Sequence, residues 1–388
     1  MMEPFDAFDT GRRVAASAAT PPLTAALPGV GGRTKVEPED FEVEEIPAYE
    51  PSGAGEHLFL WIEKRDVAAE QLQRHVARVL GVSTSDVGMA GLKDRRAVTR
   101  QYVSVPAARV ARIAELNTEA IRVLKAERHG NKLKTGHLRG NRFSVLVREV
   151  VENAEQIARP IAERVARQGF PNYFGSQRFG HEGETLALGF DLLAGRKRPQ
   201  DLPAARRRFL SRLSLSAVQS ELFNRALAER LRDGLLHQVL AGDVMEVVAS
   251  GGKFIAEDVA REQPRYDAGE IVPTGPMFGP KMRQPAGEPL ERERRLLEAC
   301  GLKLEDFRRQ QRLLPGTRRA CIVWPAELAI QAEPEGLRLS FTLPPGTYAT
   351  TLLAEFCKMP HDHAVDDSML AFSEVRRQYR SALRKLAE

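Results

Sequence analysis

Cysteine is nearly absent: 388 residues carry three, Cys300, Cys321 and Cys357. They lie far apart and form no C-x-x-C pair, which excludes a disulfide framework and a cysteine-based zinc site. Reduced thiols in a cytoplasmic protein are the reading that fits. Long hydrophobic runs are absent too, and none approaches the roughly 18 residues of a membrane span. Residues 1–32 have no continuous apolar stretch after a basic start, so they read as an extended lead-in and not as a secretory signal. No G-x-G-x-x-G precedes a helix, and the glycines of PSGAGEH (51–57) lack the Lys-Ser/Thr of a phosphate loop. A nucleotide-cofactor domain is therefore disfavoured, and with it a methyltransferase. No Ser or Cys occupies a G-x-S-x-G context. Neither an internal repeat nor a long low-complexity run is present.

What is present suffices for a folded core, since 43% of residues are apolar. The length allows two domains, or one large domain carrying an insertion. HLFLWIEK (57–64) alternates Leu58, Leu60 and Ile62 with Phe59 and Trp61, so both faces are apolar and the strand is central. A helix follows, with Leu72, Val76 and Leu80 inward, Asp66 as its expected cap and Gly81 as its stop. VGMAG (87–91) reads as a short strand, LKDRRAVTR (92–100) as a loop and QYVSV (101–105) as the next strand. ERHGNKLKTGHLRGNRFSVLVREV (127–150) reads as a basic hairpin, with Phe143, Val145 and Val147 on one face. A helix begins near Asn153, and Pro160 either kinks it or marks its first turn.

The composition then shifts. GRKRPQDLPAARRRFLSR (195–212) is strongly basic and linker-like, and an amphipathic helix follows it. Strand patterns return near residue 320, and TYATTLLAEFCK (347–358) is helical after a Pro-Pro-Gly turn. This order predicts an α+β core built from both ends of the chain, residues 33–182 and 319–388. A second α/β module, 183–318, would be inserted between them.

The net charge of +5 is a mild basic bias, and its distribution says more. Lys132, Lys134, Arg139 and Arg142 share one glycine-rich stretch, and Arg196, Lys197, Arg198, Arg206, Arg207 and Arg208 share another. Tyr173, Phe174 and Phe179 lie beside Arg178. Cations for phosphates and rings for stacking form the pattern of an RNA binder.

Within GMAGLKDRRAVTRQY (88–102) one acid, Asp94, stands among Lys93, Arg95, Arg96 and Arg100. Loop aspartates are commonly solvated, capping or paired with a neighbouring lysine. Loops at strand ends are also common places for catalytic groups. Surrounding cations favour a charged carboxylate, the form a nucleophile needs. Residue chemistry alone leaves both readings open, and a non-catalytic RNA-binding protein remains an alternative. His361-Asp-His363 could present two imidazoles on one side of a strand, but no third ligand lies at a recognisable spacing, so a polar loop is preferred to a metal site.

Seven segments, in order, resemble the tRNA pseudouridine synthase D (TruD) family: KVEPEDFEVEE (35–45), GLKDRRAVTRQ (91–101), LRGNRF (138–143), PNYFGSQRFG (171–180), QSELFN (219–224), PTGPMFGPKM (273–282) and LPPGTYATTLL (343–353). The resemblance covers the chain from about residue 33 onward. It implies isomerisation of uridine to pseudouridine in tRNA, at position 13, with no cofactor and no metal. The implied fold is a pseudouridine synthase core, a mainly antiparallel or mixed sheet with flanking helices. The inserted TRUD module would form the other wall of a basic cleft. By resemblance Asp94 matches the catalytic aspartate and Lys35 a basic residue paired with it. Phe41, Asn141 and Phe143 match residues lining the uracil site. Tyr348 stands where the family often has phenylalanine, which keeps a ring and adds a hydroxyl. The implied partner is tRNA, with the chain working as a monomer, without other protein partners and away from membranes.

Overall fold

In the computed structural model the described residues are 20–180 and 183–358, and they form two compact units. The unit that carries Asp94 comprises 28–166, 325–349 and 356–358. Its frame is a nine-stranded mixed sheet. The strands are β1 (Gly31–Arg33), β2 (Phe41–Pro47), β3 (His57–Arg65), β4 (Gly88–Met89), β5 (Val98–Pro106), β6 (Ile121–His129) and β7 (Leu138–Val150), with β14 (Ala326–Glu333) and β15 (Gly336–Leu343) from the far end of the chain. Across the sheet they run β14-β15-β7-β2-β5-β3-β6, with β1 on β7 and β4 on β5. The β2–β5 pair is parallel, and the other pairs are antiparallel.

β3 is central and covered on both faces. Leu58, Leu60 and Ile62 pack with Leu72, Val76 and Leu80 of helix α1 (Ala69–Leu80). Phe59 packs on the other face with Ala90, Tyr102 and Leu133. Gly81 ends α1 in the left-handed conformation, φ +64°, which glycine adopts without steric cost. The expected cap differs: Ala68 holds that position, and the Gln71 side chain accepts from its N–H at 3.0 Å. Asp66 instead faces Arg95, 3.6 Å away.

The basic stretch 127–150 is not a hairpin. β6 pairs with β3, while β7 pairs with β2 and β15, three strands away. Residues 130–137 therefore cross β3, β5 and β2, and Leu133 is buried at their centre. Glycine-rich composition looks the same in a tight turn and in a crossing segment, but a two-residue turn could not bury a leucine in this way.

β14 gives no sequence signal because it is an edge strand without a buried residue, so no alternation marks it. Helix α2 (Ala154–Gln168) carries Pro160 within its body and not in its first turn.

The other unit comprises 20–27, 167–324 and 350–355. It holds a two-stranded pair, β8 (Phe170–Pro171) with β13 (Ile322–Val323). Its four-stranded antiparallel sheet runs β10 (Lys253–Ile255), β9 (Val244–Val247), β11 (Ile271–Met277), β12 (Thr317–Ala320). Helices α3 (Glu184–Leu193) and α4 (Arg207–Arg232) pack together through Leu186, Phe190, Leu215 and Leu222. The basic run enters α4 directly. Asp191 takes Arg196 at 2.9 Å and Lys197 at 3.5 Å, so part of that positive charge is spent inside the unit.

Candidate active site

One face of the nine-stranded sheet gathers the candidate residues. Directly paired residues on neighbouring strands share a face. Along β2 that face carries Phe41, Val43 and Glu45. Register places Phe143 against Val43 and Asn141 against Glu45. On the far side of β7, Phe341 lies against Phe143 and Leu343 against Asn141. On the other side of β2, Thr99 pairs with Val43 and Lys64 with Thr99, while Ile62 pairs with Gln101. Gly140 permits this assembly: a Cβ there would stand 2.5 Å from the Leu343 carbonyl oxygen.

Asp94 projects from the loop between β4 and β5. Its carboxylate Oδ1 lies 3.5 Å from Lys35 Nζ, and the Asp94 side chain keeps 32% of its exposure while Lys35 keeps 5%. The same ammonium sits 4.3 Å from the centre of the Phe41 ring, a cation–π contact. Lys35 adopts φ +59°. A non-glycine residue in that region costs about 1–3 kcal/mol and is held there only when its surroundings insist. They do: Asp40 accepts from Glu37 N–H and Arg148 at 2.8 Å, which closes the loop behind Lys35.

The four cations beside Asp94 in sequence all serve the scaffold. Lys93 donates to Glu45 Oε2 at 2.7 Å in the interior. Arg95 faces Asp66, and Arg96 donates to the Val36 carbonyl. Arg100 bridges Glu63 at 2.9 Å and Glu42 at 3.3 Å. The crossing segment 130–137 braces the start of the same loop and strand β5. Gly136 N–H donates to the Ala90 carbonyl at 2.8 Å, and Leu133 N–H donates to Ser104 Oγ at 2.9 Å.

Phe41 and Phe143 meet edge to face at 6.0 Å, and Phe143 stacks on Phe341 at 5.2 Å. Phe143 is thus a core ring whose neighbour Phe41 touches Lys35. Asn141 is half-buried, and its Oδ1 is buried without a hydrogen-bond partner. Tyr348 is half-buried and follows the turn after β15; it joins the group through chain connectivity, five residues beyond Leu343.

Sequence reasoning missed Lys64, Glu45 and Gln101, all within 2% of full burial. The signal was available. Strand alternation places Lys64 on the inward row of Leu58, Leu60 and Ile62, and Glu45 on that of Phe41 and Val43. Gln101 has no partner at Oε1 or Nε2, and neither has Thr99 Oγ1. Buried polar atoms are nearly always paired, so these atoms and Asn141 Oδ1 are open to a ligand or ordered water.

Two hollows on this unit lie elsewhere. One of about 390 Å³ is bordered by Glu149, Asn153 and Glu333, and one of about 310 Å³ by Glu39, Glu63 and Arg100. Among the described residues no group of His, Cys, Asp and Glu is placed to hold a metal ion, and His361 and His363 lie outside those residues. No helix among the described residues is long and apolar enough to cross a membrane.

The family model for tRNA pseudouridine synthase D (TruD) matches residues 20–199 and 196–356. A tRNA pseudouridine synthase D of Anaeromyxobacter dehalogenans is 50% identical over 338 residues, covering 87% of this chain and 96% of the relative. That of Thermus thermophilus is 42% identical over 343 residues, covering 87% and 92%. A solved Methanosarcina mazei chain described as a tRNA pseudouridine synthase D superposes with a TM-score of 0.68 at 25% identity, covering 86% of this chain and 95% of that one.

Proposed function

The chain belongs to the tRNA pseudouridine synthase D family, and we propose that it converts uridine-13 of tRNA to pseudouridine with Asp94 as nucleophile. The reaction breaks the bond from N1 to ribose, turns the base and rejoins it through C5. No atom is gained or lost. The base must first leave its stack, at a cost of a few kcal/mol that the pocket offsets by stacking and hydrogen bonding.

The observation that carries this reading is the pairing of a partly exposed Asp94 carboxylate with a buried Lys35 ammonium at 3.5 Å. An attacking carboxylate has to be reachable yet held in one direction, and this arrangement gives both. Lys35 aims Asp94 while fixed in turn by Phe41. Asn141 offers its unpartnered Oδ1 to the N3–H of uracil or to a ribose hydroxyl. Phe143, Phe41 and Tyr348 supply the apolar wall, with Tyr348 against the base. Attack at C6 of the base and attack at C1′ of the ribose both start from the same placement of Asp94. The exposed cations Lys134, in the crossing segment, and Arg139, at the start of β7, meet phosphates of the tRNA. The protein works as a monomer in the cytoplasm. The unit of residues 28–166, 325–349 and 356–358 acts as the catalytic core, and the unit built mainly from 167–324 contains the TRUD module expected at 183–318.

Purified protein incubated with unmodified tRNA and no additive tests the reading. Pseudouridine is expected at position 13. Asp94→Asn should bind the tRNA and form none. Binding without conversion by the parent protein would make this a non-catalytic tRNA binder, and turnover by Asp94→Asn would remove the nucleophile.

A further inference from the structure

Lys64 occupies a position where a strand of this kind calls for an apolar residue. It continues the inward row Leu58, Leu60, Ile62 on β3, and its relative exposure is 0%. Burying an ammonium is costly even when it is well paired. A fully buried lysine also surrenders about 1.5–2 kcal/mol of side-chain freedom. Packing of this row therefore does not account for it.

Its hydrogen bond gives a reason. Lys64 Nζ donates to the main-chain carbonyl oxygen of Asp94 at 2.6 Å. Asp94 is thus held from two sides: Lys35, on the loop before β2, meets its carboxylate, and Lys64, on β3, meets its carbonyl. The loop has no strand ladder of its own between Ala90 and Ala97. A bond to the carbonyl of the reacting residue limits the rotation of its peptide and so the direction of its side chain.

We propose that Lys64 is a positioning residue for the isomerisation: it fixes the main chain of Asp94 so that the carboxylate points at the extruded uridine. The proposal rests on the reading of Asp94 as nucleophile. Lys64 touches no substrate atom, and it acts on the reaction through the main chain of Asp94. Its cross-strand neighbour Thr99 is likewise fully buried, with Oγ1 unpaired, so the base of this row is polar where the rest is hydrocarbon.

The test compares Lys64→Met, Lys64→Gln and Asp94→Asn with the parent protein in single-turnover conversion of tRNA, tRNA binding and thermal melting. Lys64→Met, which leaves the Asp94 carbonyl without its donor, should melt only a few degrees below the parent and bind tRNA within about threefold. Its conversion rate should fall about 100-fold, the scale of a small misplacement of a reacting group. Lys64→Gln keeps an N–H donor and should recover part of that loss. A merely structural lysine would move melting and rate together. Parent-like conversion by Lys64→Met, with Asp94→Asn inactive, overturns the positioning role and leaves the nucleophile standing. Activity in Asp94→Asn overturns the underlying reading instead. Should Lys64→Met fail to fold, Lys64→Gln decides. A folded, parent-like enzyme, or one that also fails to fold, overturns the proposal, because Lys64 is then dispensable or structural.

Discussion

Lys93 donates to Glu45 Oε2 at 2.7 Å, with side chains 5% and 0% exposed, one residue before Asp94. The neighbours therefore point apart. Lys93 is drawn into the sheet, and Asp94 is left at its edge beside Lys35. Glu45 Oε1 also accepts from the Tyr102 N–H at 3.3 Å, so one carboxylate ties β2, the Asp94 loop and β5 together.

Breaking that tie should be costly. Lys93→Met leaves the Glu45 carboxylate buried without its cation, and removing one partner of a buried pair costs about 3–5 kcal/mol. The double variant Lys93→Met with Glu45→Met should recover most of the stability, since no charge remains stranded. Denaturant unfolding of the single and double variants measures the difference. An additive loss in the double variant would contradict a buried pair.

Asn141 and Phe143 should separate function from packing. Phe143 lies between Phe41 and Phe341, so Phe143→Ala removes a core ring and should cost about 3–5 kcal/mol. Turnover lost by that variant is confounded by stability. The Oδ1 of Asn141 has no partner to strand, so Asn141→Ala should melt within a few degrees of the parent while converting tRNA far more slowly. Melting curves beside conversion rates read both, and a parent-like rate for Asn141→Ala would remove it from the uridine site.

The cations of the crossing segment and the start of β7 are not equivalent. Lys132 already donates to the Ser85 carbonyl, whereas Lys134 and Arg139 are exposed. Lys134→Ala and Arg139→Ala should each weaken tRNA binding and lower the slope of log Kd against log salt by about one unit for each phosphate no longer neutralised. Lys132→Ala should change the slope less. Equal slopes in all three variants and the parent would place the tRNA elsewhere.

The sequence was informative where a side chain repeats at a structural period or stands in a dense local motif. The two-sided β3, helix α1 with its Gly81 stop, and the loop bearing Asp94 were all legible on those grounds. Less was legible where the partner is distant in sequence. Nothing local says that the strand after Gly140 pairs with residues 336–343, or that residues 130–137 cross three strands instead of turning back. The roles of the four cations around Asp94 were also hidden, because each partner (Glu45, Asp66, Val36 or Glu63) comes from another segment. Lys64 was overlooked for a different reason: a lysine at the end of an apolar strand looks like its solvent-facing terminus until alternation is followed one residue further.

Alkaline pH should unfold the protein through groups that the fold keeps protonated. Burial pushes the Cys321 thiol from an ordinary 9.0 up to about 11, and the Cys357 thiol up to about 12. Burial, then the charges of Glu50 and Glu127, push the Tyr102 hydroxyl from 10.0 up to about 12. The unfolded chain releases these protons at the ordinary values while the folded one retains them, so the folded state binds more protons above pH 9. Linkage then requires stability to fall as pH rises. The contribution is complete below pH 9 and is lost as pH climbs through 11 to 12. Melting temperature should therefore hold between pH 7 and 8.5 and drop between 9 and 11. Tyr102→Phe should lessen the part of the drop above pH 10 and leave the thiol part in place. The same burial makes Cys321 and Cys357 poor nucleophiles at pH 8. Iodoacetamide should leave both unlabelled in the native protein and label them in denaturant. Labelling of native Cys321 at the denatured rate would contradict its burial in the core beside Phe223 and Ile322.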